Sequence, residues 1–165
     1  SIEALAIITG IPQEEYVNSS MFGATANLFV KNEVFKHVPC FNENRKSGAD
    51  AEFGRKVVKA GYQIIYCKNA YVLHPARDSL KNYIKKSRRI AGGKYDAAKH
   101  KFYKKIYLIL HFLIPPPKIL LKIYKYKKFN IFVRFKCILI ILFVRLVQSA
   151  EVLLLTINYK KTERS

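Results

Sequence analysis

Cysteine is scarce in this sequence of 165 residues. Its three cysteines, Cys40, Cys67 and Cys137, are isolated, with no C-x-x-C pair and no spacing typical of a metal site. This scarcity excludes a disulfide framework and indicates a reducing compartment. Internal repeats and low-complexity tracts are also lacking, and the length allows one domain with a real core and little more.

Acidic residues almost disappear from the second half of the chain. Residues 1–80 carry 9 Lys and Arg against 8 Asp and Glu, whereas residues 81–165 carry 21 against 3. The first half therefore has an ordinary globular composition, and the second is very basic and rich in Ile, Leu, Phe and Tyr. Such asymmetry indicates a polyanionic partner for the second half, either nucleic acid or an anionic membrane face.

The basic half has no uninterrupted apolar run of the roughly 20 residues that a plain transmembrane helix needs. Its longest segment, residues 131–158, is interrupted by Arg134, Lys136, Arg145 and Glu151. On a helical wheel most polar residues of this segment share one side, and Lys136 falls opposite them. They are Arg134, Arg145, Gln148 and Ser149. We expect peripheral helices on an anionic cytoplasmic membrane face, with one tilted span at 131–158 or soluble helical packing as alternatives.

Short apolar segments alternate with amphipathic patterns in the first 95 residues. Strands are predicted at 23–30, 63–67 and 70–73. Helices are predicted at 32–38, at 50–60 with Gly61 as the cap, and from Ser79 to about Ile90, where Gly92 and Gly93 end the pattern. Further on, three prolines at 115–117 follow an apolar segment at 106–114, and a helix with many lysines is predicted at 118–128.

Two blocks between residues 23 and 77 form an ordered pattern, GATANLFVKNEVFKHVPCF and then SGADAEFGRKVVKAGYQIIYCKNAYVLHPAR. They resemble the second half of the catalytic domain of family-2 inverting glycosyltransferases with a GT-A fold. The resemblance implies an α/β class. Residues 1–95 would be the C-terminal, acceptor-side part of a GT-A (Rossmann-like) domain truncated at its N-terminus, and residues 96–165 a basic, hydrophobic helical tail.

The resemblance also implies an activity and a catalytic residue. The family transfers sugar from a nucleotide-sugar donor to a hydroxyl of a glycan or lipid-linked acceptor, with inversion and with a divalent metal, Mg²⁺ or Mn²⁺. Asp50 takes the place of the family's catalytic aspartate, which serves as general base. The alternative is that Asp50 only caps its helix. Asn27 and Glu52 are implied acceptor contacts, although Glu52 would otherwise hold Arg55 or lie on a solvated helix face.

Histidine and arginine side chains supply the remaining candidate contacts. His74 matches the family histidine that completes metal coordination, and a structural role after an apolar strand is the alternative. Arg77, Arg88 and Arg89 are candidate ligands of the donor diphosphate or of a lipid phosphate. A solvated basic helix is the competing interpretation for this stretch, chiefly for Lys85 and Lys86.

The sequence departs from the family pattern at three places. Ala49 stands where the family has Glu, and Pro39 and Cys40 replace a Gly-Gly pair. Nothing resembles the nucleotide-binding βαβ half or its D-x-D carboxylates. We therefore expect the chain alone to lack donor binding and to be inactive.

Two other function classes remain as alternatives. Basic and aromatic residues alternate as in nucleic-acid-binding proteins, but such a surface does not need long Ile, Leu and Phe runs. No nucleic-acid partner is therefore expected. The other alternative is a membrane-surface module without catalysis.

Overall fold

The computed structural model describes residues 1–98 and 101–157, and within these ranges the chain is helical. The elements are α1 (Ile2–Thr9), α2 (Gln13–Ser20), a 3-10 turn (Thr25–Asn27), α3 (Asn32–His37), α4 (Ala49–Lys59), α5 (Leu80–Ala98), α6 (Phe102–Leu113), α7 (Pro117–Lys125) and α8 (Ile131–Thr156). No β-strand forms in the described ranges. The prediction of an α/β class, as part of a GT-A (Rossmann-like) domain, is therefore wrong.

The predicted strands fail because an apolar run makes a strand only when a neighbour completes its hydrogen bonds and side-chain pairs. The segment 23–30 contains the 3-10 turn instead. The segments 63–67 and 70–73 lie outside any regular element, and Ile65 and Leu73 are 79% and 92% exposed. The apolar patterns are present, but the described ranges contain no sheet with which these segments could pair.

Most of the predicted helices form close to their predicted bounds. This holds for α3, α4, α7 and α8, and the prolines at 115–117 separate α6 from α7 as expected. Gly61 ends α4 with φ +87°, and the N–H of Tyr62 donates to the carbonyl of Val57 at 3.2 Å. This is the left-handed ending that favours glycine.

Helix α5 is longer than predicted, because it continues through Gly92 and Gly93 to Ala98. Both glycines are buried, together with Ala91, where α5 packs against α8. Small residues permit the two backbones to approach, and this packing outweighs the weak helix propensity of glycine. The prediction that the glycine pair ends the helix is wrong.

The chain divides into two compact units. We call Ile11–Pro75 the small unit, and Ser1–Gly10 with Ala76–Ser165 the helical unit. The division at residue 95 came from the family resemblance and stays a prediction.

The small unit has a core between α3 and α4. Val34 and Val38 pack with Phe53 and Val57, and Phe41 lies with its ring centroid 4.4 Å from that of Phe53. Gly54 brings α4 directly against the backbone at residues 21–22. A Cβ at this position would lie 2.4 Å from the Cβ of Phe22. Helix α4 therefore packs against α3 and also against the backbone at residues 21–22.

The helical unit has two cores along α8. In the first, Leu5 and Ile8 of α1 contact Ile123 of α7 together with Cys137 and Ile141. In the second, five side chains from α5, α6 and α8 pack together. They are Ala91, Tyr95, Phe112, Val152 and Leu155. The other helices described in this unit therefore pack against α8.

Candidate functional site

The predicted general base lies in the first turn of α4. Gly48, with φ +78°, turns the chain into the helix, and Asp50 is half-buried there. The Oδ1 of Asp50 accepts the N–H of Ala51 at 2.8 Å. Among the described residues Asp50 forms no ion pair, in contrast to Glu52 in the same turn.

Tyr16 of α2 lies within the electrostatic reach of this carboxylate. Burial raises the pKa of the Tyr16 hydroxyl, and the negative charges of Asp50 and Glu15 raise it further. Tyr16 also stacks on Phe22, with 4.6 Å between the ring centroids. Sequence reasoning missed Tyr16, because nothing in the pattern connects α2 with the start of α4.

Glu52 differs sharply from Asp50, although it is only two positions away. Its Oε2 lies 2.5 Å from Nε of Arg45, and its Oε1 lies 2.9 Å from Nζ of Lys56. The hydrogen bonds from Arg45 and Lys56 lower the pKa of Glu52 to about 2. Glu52 therefore ties the loop before α4 to the helix, and its role as an acceptor contact stays a prediction.

Asn27 ties two segments of the small unit together. Its Nδ2 donates to the carbonyl of Ala70 at 2.8 Å, which holds the extended segment before His74. Gln13 fixes the turn that carries Asn27. Its Nε2 donates to the carbonyls of Ala24 and Asn27, and its Oε1 accepts the N–H of Ala24. Gln13 was not identified from the sequence, and the acceptor contact of Asn27 stays a prediction.

His74 is exposed at the end of this extended segment. Its Nδ1 lies 3.0 Å from the carbonyl oxygen of Pro75. In the described part of the chain no three His, Cys, Asp or Glu side chains lie close enough together to hold a metal ion. The role of His74 as a ligand of Mg²⁺ or Mn²⁺ stays a prediction.

The predicted phosphate-binding arginines belong to the helical unit, and two of them surround Lys86. Burial lowers the pKa of Lys86, and the positive charges of Arg77 and Arg89 lower it further. A half-buried lysine near the positive charges of two arginines is chemically suited to contact an anion, and it differs from the solvated lysine that the sequence favoured. The Nε of Arg88 donates to the Oε2 of Glu151 at 2.8 Å, and the phosphate contacts of the three arginines stay predictions.

Three of the four polar residues that share one side of α8 bind α6 or the end of α7, and the fourth, Gln148, donates from its Nε2 to the carbonyl of Ser87 in α5 at 3.3 Å. Arg145 donates to the carbonyls of His111 and Ile114, and Arg134 donates to the carbonyl of Tyr124 at 2.6 Å. The Oγ of Ser149 donates to the carbonyl of Ile109 at 3.1 Å. The helical wheel identified this side of α8, but the sequence did not show what it contacts.

The opposite surfaces of α6 and α8 are apolar and exposed. Phe102–Lys125 and Ile131–Thr156 are each long and apolar enough to cross a membrane, by length and composition. Only 11% of the most apolar stretch of the first and 39% of that of the second are buried inside the molecule. The core helix of a soluble protein is mostly buried, so these values favour membrane association over soluble helical packing.

Comparison with known proteins gives one relationship. The chain is 25% identical over 116 residues to the glycosyltransferase AglE of Haloferax volcanii, and the match covers 66% of this chain and 38% of that protein. The chain thus spans well under half the length of this relative. No family model matches the chain, and no solved structure matches it. The chain is therefore related, distantly and in part, to a glycosyltransferase, and the relationship supports sugar transfer in general.

Proposed function

We propose that this chain carries the general base of a membrane-bound inverting glycosyltransferase, and that Asp50 is that base. The proposal rests on the contrast between the two carboxylates of α4. A base must be able to take up a proton, and the two cations that hold the pKa of Glu52 at about 2 make that carboxylate a poor base. Asp50 has no such cation among the described residues.

The proposed step is a single displacement. The hydroxyl oxygen of the acceptor attacks the anomeric carbon of the sugar, and its proton passes to the Asp50 carboxylate. The bond from that carbon to the phosphate oxygen of the nucleotide breaks, and the electron pair leaves with the nucleotide. The nucleotide-sugar donor and the glycan or lipid-linked acceptor are parts of this proposal, supported by the sequence resemblance and by the related glycosyltransferase.

The helical unit is proposed to hold the enzyme on the cytoplasmic face of a membrane. The exposed apolar side chains of α6 and α8 would lie among the lipid tails, and the excess of lysine and arginine would contact anionic headgroups. Arg77, Lys86 and Arg89 would contact a phosphate of the donor or acceptor. The observation behind this part is the low burial of both long apolar stretches.

The test of the proposed base is the substitution Asp50→Asn in the complete enzyme that contains this chain. The substitution keeps the shape and the hydrogen bond to Ala51, but an amide cannot take up the proton. We expect kcat to fall by about 10²–10⁴-fold. Sugar transfer is measured with radiolabelled donor, and Glu43→Gln, an exposed acid in the loop before α4, is the matched control.

The control variant is expected to retain its activity within about twofold, since a surface charge far from a reacting group has a weak effect. If Asp50→Asn transfers sugar as fast as the unsubstituted enzyme, Asp50 is not the base. Circular dichroism of both variants checks that the helices are unchanged.

A further inference from the structure

An open groove lies in the helical unit, between α1 and α7. It has a volume of about 480 Å³, within the ~300–1,000 Å³ typical of ligand sites. Its walls are formed by Ile8, Lys118, Leu121, Lys122, Lys125 and Tyr126. None of the predicted site residues belongs to it, so it is a separate feature of the molecule.

The groove concentrates positive charge. Lys118, Lys122 and Lys125 are spaced i, i+4 and i+7, which places them on one face of α7. All three side chains are exposed, and no lining residue is acidic. The charge of the groove is therefore suited to an anionic group.

The rest of the wall is apolar. Leu121 is 51% exposed beside the lysines, and Tyr126 is half-buried at the end of α7. On the other side of α7, Ile123 is completely buried against Leu5 and Ile8 of α1. This core fixes the spacing of α1 and α7, so the groove is shaped by packing rather than by mobile surface side chains.

The position of the groove along the chain points to the same chemistry. Helix α7 follows the apolar helix α6 and precedes the basic pair Lys127 and Lys128. A segment between an apolar helix and a basic tract lies at the level of the lipid headgroups when α6 is in the membrane. The stems of lysines at this level lie along apolar surface while the ammonium groups reach the headgroups.

We propose that the groove between α1 and α7 binds the phosphate group of an anionic phospholipid. Lys118, Lys122 and Lys125 contact the phosphate oxygens, and Leu121 and Tyr126 contact the start of the acyl chains. The inference rests on the membrane association proposed above. It adds to that association a site that selects lipids by headgroup.

The test uses the whole chain, purified in a neutral detergent and titrated with fluorescent phosphatidylglycerol in mixed micelles. Fluorescence polarisation reports binding. The triple variant Lys118→Gln, Lys122→Gln and Lys125→Gln is expected to bind at least tenfold more weakly. The matched control removes the same charge from three other exposed lysines of the helical unit, Lys81→Gln, Lys85→Gln and Lys101→Gln, and is expected to change affinity less than threefold.

Two further measurements identify the source of the phosphate. Inorganic phosphate is expected to compete only at concentrations far above those of the lipid, because it cannot use the apolar wall. Micelles with fluorescent phosphatidylcholine are expected to show weaker binding. Equal loss in the two triple variants, equal affinity for both lipids, or competition by phosphate at matching concentration would each overturn the proposal.

The failure of this proposal can be told apart from the failure of membrane association. Partition of each variant between membrane and supernatant is measured in parallel. If the groove variant remains in the membrane fraction but loses its preference for phosphatidylglycerol, the groove is supported. If it remains there with the preference intact, the groove is excluded and membrane association stands. Circular dichroism verifies the fold of each variant. If the triple variant does not fold, the single substitution Lys118→Glu replaces it. This substitution is expected to weaken binding about fivefold or more.

Discussion

Asp50 and Glu52 occupy the same helical turn, yet their surroundings give them different chemistry. The motif at residues 47–77 identified both carboxylates. It assigned them different roles, but it could not show the cation that matters most for Glu52, because Arg45 approaches from the preceding loop. A contact of this kind depends on how the loop folds, and no periodicity in the sequence encodes it. The same holds for Gln13, whose partners are 11 and 14 residues away.

The ion pairs of Glu52 make the stability of the chain depend on pH. The pKa of Glu52 is about 2 in the folded chain against an ordinary value of 4.5, so folding favours the charged carboxylate. This stabilisation is fully present above about pH 4.5 and is lost as the pH falls towards 2. Glu52→Gln should lower the midpoint of urea unfolding at pH 6, and the difference from the unsubstituted chain should shrink by pH 3.

The measurement is urea unfolding of the whole chain in neutral detergent, followed by circular dichroism. Glu43→Gln is the control, because it removes one negative charge from the same unit and leaves the ion pairs of Glu52 with Arg45 and Lys56 in place. The difference in urea midpoint between Glu52→Gln and the unsubstituted chain is compared at pH 3 and pH 6. An equal difference at the two pH values would show that the ion pairs do not stabilise the fold.

Most of the predicted helices form near their predicted bounds, but α1 and α2 were not predicted, and none of the predicted strands forms in the described ranges. Amphipathic spacing, Gly61 and the prolines at 115–117 are local signals, and the helices they mark form where expected. Residues 63–67 and 70–73 have the apolar character of strands, but a strand depends on a partner that local sequence does not supply. Glycines 92 and 93 mislead for a related reason, since they are buried in the part of α5 where Ala91 packs with Val152 of α8, a helix that lies much later in the chain.

The junction of α6 and α7 depends on Arg145 of α8. Proline has no N–H, so Pro115 cannot donate to the carbonyl of His111 as a helical residue would. Arg145 donates to that carbonyl and to the carbonyl of Ile114. Arg145→Ala is expected to destabilise the packing of α6 on α8 by about 1–3 kcal/mol, because the two carbonyls lose hydrogen bonds from a charged donor.

Thermal unfolding in detergent, together with the rate of limited proteolysis between α6 and α7, measures this loss. Lys136→Ala is the control, since Lys136 is an exposed cation of the same helix. Arg145→Lys should recover only part of the stability, because an ammonium group does not reproduce the planar donor geometry of a guanidinium. Equal stability of the Arg145→Ala and Lys136→Ala variants would contradict the role assigned to Arg145.

At the scale of the whole molecule, charge and apolar surface make different predictions about the membrane. If lysine and arginine alone held the chain there, high salt would release it, because screening weakens exposed charges. We expect the chain to stay in the membrane fraction at 1 M salt and to be released by detergent, since the apolar faces of α6 and α8 are exposed.

A pair of double variants tests this expectation directly. Leu139→Gln with Leu146→Gln adds polar groups to the exposed apolar face of α8, and we expect more of this variant in the supernatant. Lys127→Gln with Lys128→Gln removes charge without changing that face, and should behave like the unsubstituted chain. Release of the lysine variant alone would mean that electrostatic attraction dominates.

The dependence of the α6 end on Arg145 also has a consequence for biosynthesis. When the ribosome has added His111 near the end of α6, the partner of its carbonyl, Arg145, is still 34 residues from being added. In a bilayer an unsatisfied carbonyl is costly, which disfavours settling of α6 in the lipid by itself. The two apolar helices should therefore enter the membrane together, as a pair, once α8 has left the exit tunnel.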